Sequence, residues 1–209
     1  MARPAADRIL DGMTMPRLSQ QMAFLVEADK LKAVSRRTPL VDGSRLENSA
    51  EHSWHLVLAA MIMRQYSAQT IDLLRVLEMV AVHDLVEIDA GDTFAYDVAG
   101  QVTKTEREAA AAARVFGLLP SDQCEYVAAL WEEFEAQESP ESRFANALDR
   151  LQPLLQNASA GGGSWRTHSL NRDQVLKRMA PIESAMPELW PTVLSVVDAF
   201  CAAGMIQTK

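Results

Sequence analysis

Apolar residues recur at helical spacing along most of this chain. In residues 17–34 they fall about three or four positions apart, and charged residues occupy the opposite face. The segments 49–62 and 71–83 are apolar almost all round, which indicates two central, buried helices. No segment alternates between apolar and polar residues over a strand's length, and residues 36–39 read as a loop. The pattern therefore predicts an all-α fold.

Capping signals divide the rest of the chain into further helices. Asn48 followed by Glu51 predicts a capping box at the start of the first central helix. More helices are predicted near residues 103–116, 120–134, 140–155, 171–179 and 187–203. We find no repeat and no linker. We therefore expect one domain over residues 17–204, between an N-terminal tail (1–16) and a C-terminal tail (205–209).

Composition narrows the class of protein. The chain has 209 residues, of which 48% are hydrophobic and 23% charged, which suits one globular domain. Its net charge of −8 argues against a nucleic-acid polymer or an anionic membrane as the partner. A small anionic substrate stays possible, because a bound metal ion and a few basic side chains can reverse the field locally.

Cysteine usage and apolar run lengths favour a cytoplasmic protein. Cys124 and Cys201 lack metal-site spacing and are expected to be reduced. The first residues have no apolar signal-peptide core, and the longest apolar run, 56–63, is too short to cross a bilayer.

Residues 83–92 carry the first candidate chemistry. His83 and Asp84 end an apolar helix, and buried charge is costly unless it is paired or bound to metal. Helical spacing puts Glu87 on the face of His83, so these three predict a site. Asp89 and Asp92, considered alone, fit a solvated turn.

Asp149 is a second candidate, on the helix 140–155. It borders the apolar stripe, where a charged residue needs a partner, and Arg150 is expected to lie on another face. Pro153 leaves the Asp149 carbonyl without its helical donor and predicts a kink there. Such a kink can mark a site, although packing also explains kinks.

His52 completes a possible ligand set. Alone it fits a hydrogen-bonded core residue, which is also our interpretation of His55, and His168 is expected to be exposed. Together, His52, His83, Asp84 and Asp149 form a His2Asp2 set suited to one divalent ion. Arg36 and Arg37 are either solvated or an anion-binding pair.

These motifs resemble those of a known family. Glu51-His52, then His83-Asp84-x-x-Glu87 with Gly91-Asp92, then Asp149-Arg150, are similar to the H…HD…D signature of the HD-domain metal-dependent phosphohydrolases. The likeness is greatest to the branch with bacterial 5′-deoxynucleotidases and their eukaryotic relatives. It implies a single-domain HD-type helical bundle with a buried metal site for one divalent ion (Mn, Co, Fe, Ni, Zn or Mg). The implied ligands are His52, His83, Asp84 and Asp149.

The resemblance also implies roles around the metal. Glu87 matches the catalytic acidic position, Asp92 a position near the substrate sugar, and Arg36 a substrate-contacting arginine. Arg37 and Lys104 are further candidates for neutralising the phosphate. The expected reaction is hydrolysis of (deoxy)nucleoside 5′-monophosphates to nucleoside and phosphate by a homodimer. Two alternatives stay open: an HD hydrolase of another phosphoester (a nucleoside di- or triphosphate, a cyclic nucleotide or a non-nucleotide monoester), and a non-catalytic metal-binding helical protein.

Overall fold

Helices make up most of the computed structural model, which describes residues 15–208; the predicted tail over residues 1–14 and Lys209 lie outside the described residues. The α-helices are α1 (Pro16–Ala28), α2 (Ser49–Met63), α3 (Leu73–Val82), α4 (Glu87–Ala90), α5 (Val98–Val102), α6 (Lys104–Phe116), α7 (Ser121–Ala136), α8 (Pro140–Ser159), α9 (Gly163–Thr167), α10 (Arg172–Ala185) and α11 (Trp190–Ala202). Short 3₁₀ helices lie at Asp29–Ala33, Arg64–Tyr66 and Pro187–Leu189. The all-α prediction is confirmed.

A small sheet corrects the prediction for residues 36–39. Strand β1 (Ser35–Pro39) pairs antiparallel with β2 (Leu46–Asn48) instead of forming a loop. Along β1, Arg36 and Thr38 turn inward, while Ser35 and Arg37 are exposed. The alternation exists, but its inward residues are polar, so a search for apolar alternation does not find it.

The two central helices begin at capping side chains. Asn48 accepts from the Glu51 backbone N–H at 2.9 Å, and Glu51 accepts in return from the Asn48 N–H at 3.2 Å, so the predicted capping box is confirmed. The side chain of Asp72 caps α3 by accepting from the backbone N–H groups of Leu74 and Arg75. Helix α3 ends one residue before His83, and the chain then makes a turn into the short helix α4. The helix is therefore shorter than predicted, and His83 caps its end.

Buried apolar side chains form two separate cores. The large core is built from α2, α3, α7, α8, α10 and α11. The small core packs α6 and the 3₁₀ helix at Asp29–Ala33 against Leu85 and Val86. Val80 belongs to the large core and Leu85 to the small one, so His83 and Asp84 lie at the junction between them.

The end of the described chain also joins the large core. Ile206, predicted to lie in the C-terminal tail, is only 1% exposed. Gln207 donates to the Leu170 carbonyl and accepts from the Arg172 N–H, both at 2.8 Å. None of the helices between residues 15 and 208 has the length and apolar character needed to span a bilayer.

Candidate metal centre

Three buried side chains from three parts of the chain meet between the cores. One ligand atom from each of His52 (α2), His83 (after α3) and Asp149 (α8) lies within 4.8 Å of the others. The Nε2 of His52 is 2.9 Å from Oδ1 of Asp149, and the two imidazole rings are 5.5 Å apart at their centroids. This group can hold a metal ion.

The hydrogen bonding of the His83 ring supports a role for this residue as a metal ligand. Its Nδ1 lies 3.0 Å from the carbonyl of Val80, so Nδ1 carries the proton and Nε2 presents a lone pair. That Nε2 is buried, and residues 15–208 supply no hydrogen bond to it, although Oδ1 of Asp84 is 3.0 Å away. An unpartnered nitrogen is costly in such a place. The nitrogen and oxygen donors fit a divalent ion.

Asp84 stands beside this group rather than in it. While Oδ1 faces His83, Oδ2 accepts a hydrogen bond from Arg36 at 3.0 Å. Burial opposes ionisation of Asp84, but the neighbouring His83 imidazole and Arg36 guanidinium outweigh it and hold the pKa of Asp84 well below the usual range. Its ligand role remains a prediction.

Buried amides and a carboxylate, which the sequence did not reveal, orient His52. Its Nδ1 is 2.9 Å from Oε1 of Gln152 and 3.6 Å from Oε2 of Glu47. The Nε2 of Gln152 donates to Glu47 at 2.7 Å, and Gln156 donates there too. Gln152 lies three residues after Asp149, and this spacing on one helix face could have found it. Partners of this kind fix the ring that binds a metal.

Glu87 lies in the same buried region and is 7% exposed. The hydroxyl of Ser49 donates to its Oε2 at 2.6 Å. Burial, reinforced by the negative charge of Asp84, raises the pKa of Glu87 to about 8. A carboxyl group with such a pKa can take up and release a proton near neutral pH.

Arg36 is surrounded by carboxylates. Its guanidinium lies 3.0 Å from Asp84, 3.5 Å from Glu47 and 3.9 Å from Asp92. Burial lowers the pKa of Arg36, but the charges of Asp84 and Glu87 outweigh it, and the net shift is upward. Of the predicted anion-binding pair, Arg36 is therefore held inside while Arg37 is exposed.

Lys104 and Asp92 both reach the region around Glu87. Lys104 donates to Glu108 at 2.8 Å and lies 3.8 Å from Glu135. Burial, with the charge of Asp84, raises the pKa of Asp92 in spite of Arg36. Asp92 is therefore part of the cavity wall rather than a solvated turn.

Two further arginines reach Asp149. Arg150 was expected on another helix face, but its long side chain bends back to donate to Oδ2 of Asp149, and it also bonds Asn146 at 3.3 Å. Arg178, on α10, lies 3.7 Å from the same Oδ2. Burial lowers the pKa of Arg178 to about 10. No sequence pattern indicated Arg178 as a site residue.

The site opens to solvent through three connected spaces. The inner chamber, about 180 Å³, is lined by residues that include His83, Asp84, Glu87, Lys104, Glu108 and Asp149. The throat, about 70 Å³, has as its charged residues Arg36, Arg37, Asp92, Asp149, Arg150 and Arg178. The outer chamber, about 460 Å³, is lined mainly by Arg37, Phe94, Tyr96, His168, Ser169 and Gln174.

Aromatic rings form one wall of the outer chamber. The ring centroids of Phe94 and His168 are 4.3 Å apart, and those of Phe94 and Tyr96 are 5.3 Å apart. His168 is exposed, as predicted. Ser169 has a φ of 51°, a left-handed conformation that is uncommon outside glycine and is frequent at binding sites.

The sequence of this chain matches a known protein family. Residues 28–190 match the sequence profile of the HD domain. The chain belongs to the HD-domain family. The matched region contains the whole group of His52, His83 and Asp149, together with Glu87. The resemblance predicted from these motifs is thereby confirmed at the level of the family.

Relatives of this HD domain include named phosphohydrolases. The 5′-deoxynucleotidase HDDC2 of Homo sapiens is 30% identical over 136 residues, which cover 65% of each chain. The Danio rerio protein of the same name is 30% identical over 110 residues, 53% of this chain and 54% of the relative. The match thus spans about half to two thirds of these relatives. A predicted metal-dependent phosphohydrolase from Magnetospirillum magnetotacticum MS-1, known as a crystal structure, is 47% identical; the alignment covers 92% of this chain and 99% of that one, with a TM-score of 0.86.

Proposed function

We propose that this HD domain is a metal-dependent phosphomonoesterase that hydrolyses (deoxy)nucleoside 5′-monophosphates to nucleoside and phosphate. The observation that carries the proposal is the buried group of His52, His83 and Asp149, which lies beside Glu87 at the inner chamber. The 5′-deoxynucleotidase name of the human and zebrafish relatives supports the choice of substrate.

The metal site uses residues that are already in position. His52, His83 and Asp149, with Asp84 beside them, would hold one divalent ion. When bound, such an ion supplies Lewis acidity, which makes water a better nucleophile and polarises a phosphoryl oxygen. The burial of the group keeps competing solvent away from these donors.

Glu87 is the proposed general base. Ser49 holds one carboxylate oxygen at 2.6 Å, which leaves the other free to orient an attacking water and accept its proton. The raised pKa, about 8, matches this task near neutral pH.

The remaining residues would bind different parts of the substrate in the different chambers. Asp92 would accept a hydrogen bond from a sugar hydroxyl, while Arg37 and Lys104 add positive charge at the two ends of the cavity. The flat ring of a base would stack on the pair Phe94 and His168 in the outer chamber. This chamber lies within the usual size range for small-molecule sites.

Phosphate release from a panel of compounds tests the proposal. The panel contains nucleoside mono-, di- and triphosphates, cyclic nucleotides, and sugar and glycerol phosphates, each with added Mn²⁺ or Co²⁺. We expect the highest kcat/KM with nucleoside 5′-monophosphates. A preference for triphosphates or cyclic nucleotides would overturn the substrate assignment, and metal binding without any turnover would overturn the catalytic one.

We further infer that the protein works as a cytoplasmic homodimer. Trp54, Leu58, Met61 and Ile62 form an exposed apolar stripe along α2, beside a groove of about 370 Å³. A stripe of this kind is typical of an interface. Sedimentation equilibrium should show a dimer for the wild type and a monomer for Ile62→Glu. Val102→Glu, which changes an exposed apolar residue on α5, should stay dimeric. A monomeric wild type would contradict the inference.

A further inference from the structure

The phosphate needs a cationic partner that is not already engaged. Arg36 is the partner implied by resemblance, but three carboxylates surround its guanidinium, with Asp84 at 3.0 Å and Glu47 at 3.5 Å. Its side chain is only 11% exposed. Arg36 therefore offsets the repulsion among the carboxylates and orients Asp84, and it has little freedom to turn toward a substrate.

Arg178 differs from Arg36 in its surroundings. A guanidinium has five N–H donors. Within residues 15–208, the only carboxylate oxygen within about 4 Å of the Arg178 guanidinium is Oδ2 of Asp149, at 3.7 Å, and no side-chain hydrogen bond joins the two. Arg178 is 35% exposed and lines the throat and the inner chamber. Its donors are thus available to a ligand in the cavity.

The throat has the charge that an anion requires. Among the described residues, four arginines and two aspartates line it, so two positive charges are in excess. A phosphate monoester dianion would balance them. The neighbouring Arg150 adds charge but is held by Asp149 and Asn146. Arg178 therefore has more capacity for new hydrogen bonds than Arg36 or Arg150.

Asp149 connects this cationic region to the metal centre. Its Oδ1 faces His52 at 2.9 Å, while its Oδ2 faces Arg150 and Arg178. An anion bound by Arg178 would therefore lie one carboxylate away from the metal ligands. A phosphoryl group in this position could contact both a bound ion and a guanidinium.

We propose that Arg178, with the charge of Arg150 behind it, binds the phosphate group of the substrate at the junction of the throat and the inner chamber. The proposal rests on the proposed phosphomonoesterase function. It assigns to Arg36 a positioning role on Asp84 and to Arg178 the direct contact, which a guanidinium makes through two parallel N–H···O bonds.

Binding of inorganic phosphate to the Mn²⁺-loaded protein, measured by isothermal titration calorimetry, tests this assignment. Arg178→Met should weaken phosphate binding roughly 10- to 100-fold, because hydrogen bonds to charged groups are lost. Arg178→Lys keeps the charge and should recover part of the affinity. Lys177→Met removes a cation from the adjacent, exposed position of α10 and should bind phosphate like the wild type.

Two further measurements separate contact from indirect effects. Thermal unfolding of each variant checks the fold, and Mn²⁺ titration should give the same metal affinity for Arg178→Met and the wild type. Unchanged phosphate binding in Arg178→Met, an equal loss in Lys177→Met, or a loss that follows metal affinity alone would each overturn the proposal. Phosphate binding that depends on Arg178 in a protein without monophosphate turnover would instead reject the proposed function.

Discussion

The inner and outer chambers of this HD domain are built in opposite ways. In the inner chamber, buried side chains hold one another: Ser49 bonds Glu87, and Arg36 bonds Asp84. In the outer chamber, Arg37, His168 and Gln174 are all exposed. The first is held by hydrogen bonds and ion pairs, whereas one wall of the second consists of aromatic rings that contact one another at tilted angles.

The contrast indicates that the two chambers have different roles. Groups that carry out chemistry must be held to within a fraction of an ångström, which buried polar networks achieve. Groups that select a substrate can be exposed, because stacking tolerates different rings. Changes in the inner chamber should therefore alter turnover, and changes in the outer chamber should alter the choice of substrate.

Removal of a metal ligand is expected to have the largest effect. His52→Ala should reduce both bound metal and turnover by more than the roughly 10–100-fold typical of residues that only orient a ligand. His55→Ala is the comparison on α2, because His55 lies outside the ligand group; it contacts Gln152 at 3.3 Å, so at most the smaller effect of a residue that orients a ligand is expected. Metal content by mass spectrometry and phosphate release give the two readouts. Full activity in His52→Ala would contradict the proposed centre.

Loss of the proposed general base should have the second-largest effect. Glu87→Gln should lower kcat by about 10²–10⁴-fold while the metal remains bound, since the amide cannot accept the proton. Asp89→Asn, two residues along and paired with Arg114 at the surface, should keep its kcat. Steady-state kinetics with metal-saturated protein make the comparison. Unchanged turnover in Glu87→Gln would show that Glu87 is not the base.

A smaller effect is expected in the outer chamber. Phe94→Ala should raise the KM for nucleoside monophosphates roughly 5- to 30-fold, equivalent to about 1–2 kcal/mol of lost stacking, with little change in kcat. Glycerol phosphate, which has no ring to stack, serves as the control substrate, and its KM should not change. An equal rise for both substrates would mean that Phe94 only shapes the cavity.

The smallest expected effect is on stability and depends on pH. Without metal, the pKa of Glu87 is raised from 4.5 to about 8, so the folded chain binds that proton more tightly than the unfolded chain. The resulting stabilisation is complete below the lower value and is lost as the pH rises through the upper one. Metal-free Glu87→Gln should therefore gain stability relative to the wild type as the pH rises from about 4.5 to about 8.

Thermal unfolding across this range measures the difference. A gain of about 1 kcal/mol corresponds to roughly 2–4 °C for a chain of this size. The unfolding temperature of Asp89→Asn should change with pH in the same way as that of the wild type. A difference in unfolding temperature between Glu87→Gln and the wild type that stays constant with pH would show that Glu87 has an ordinary pKa.

Helical periodicity was enough to predict the all-α class, and the residue types of the central polar group indicated a metal site, which the resemblance to the HD family then specified. His52, His83 and Asp149 stood out because each is polar in a segment that is otherwise apolar. The junction of the two cores was not visible in the same way, since nothing in the sequence distinguishes the core that receives Val80 from the one that receives Leu85.

The missed residues share a physical reason. Arg178 is one of several charged residues on α10, and only the packing of that helix against α8 turns it toward the cavity. Glu47 comes from a short polar strand, where burial leaves no apolar signal. Arg36 was found, but its contacts with Glu47, Asp84 and Asp92 were not, and those contacts change the role that it can perform.

The junction between the cores has a consequence for cooperativity in unfolding. The turn at His83 and Asp84 joins one apolar cluster, through Val80, to the other, through Leu85. Ligands at this turn and on the helices of the large core would close around one ion, so binding energy becomes shared folding energy. The two clusters should then melt as a single cooperative unit with metal bound, and the small cluster can open separately once the metal is removed.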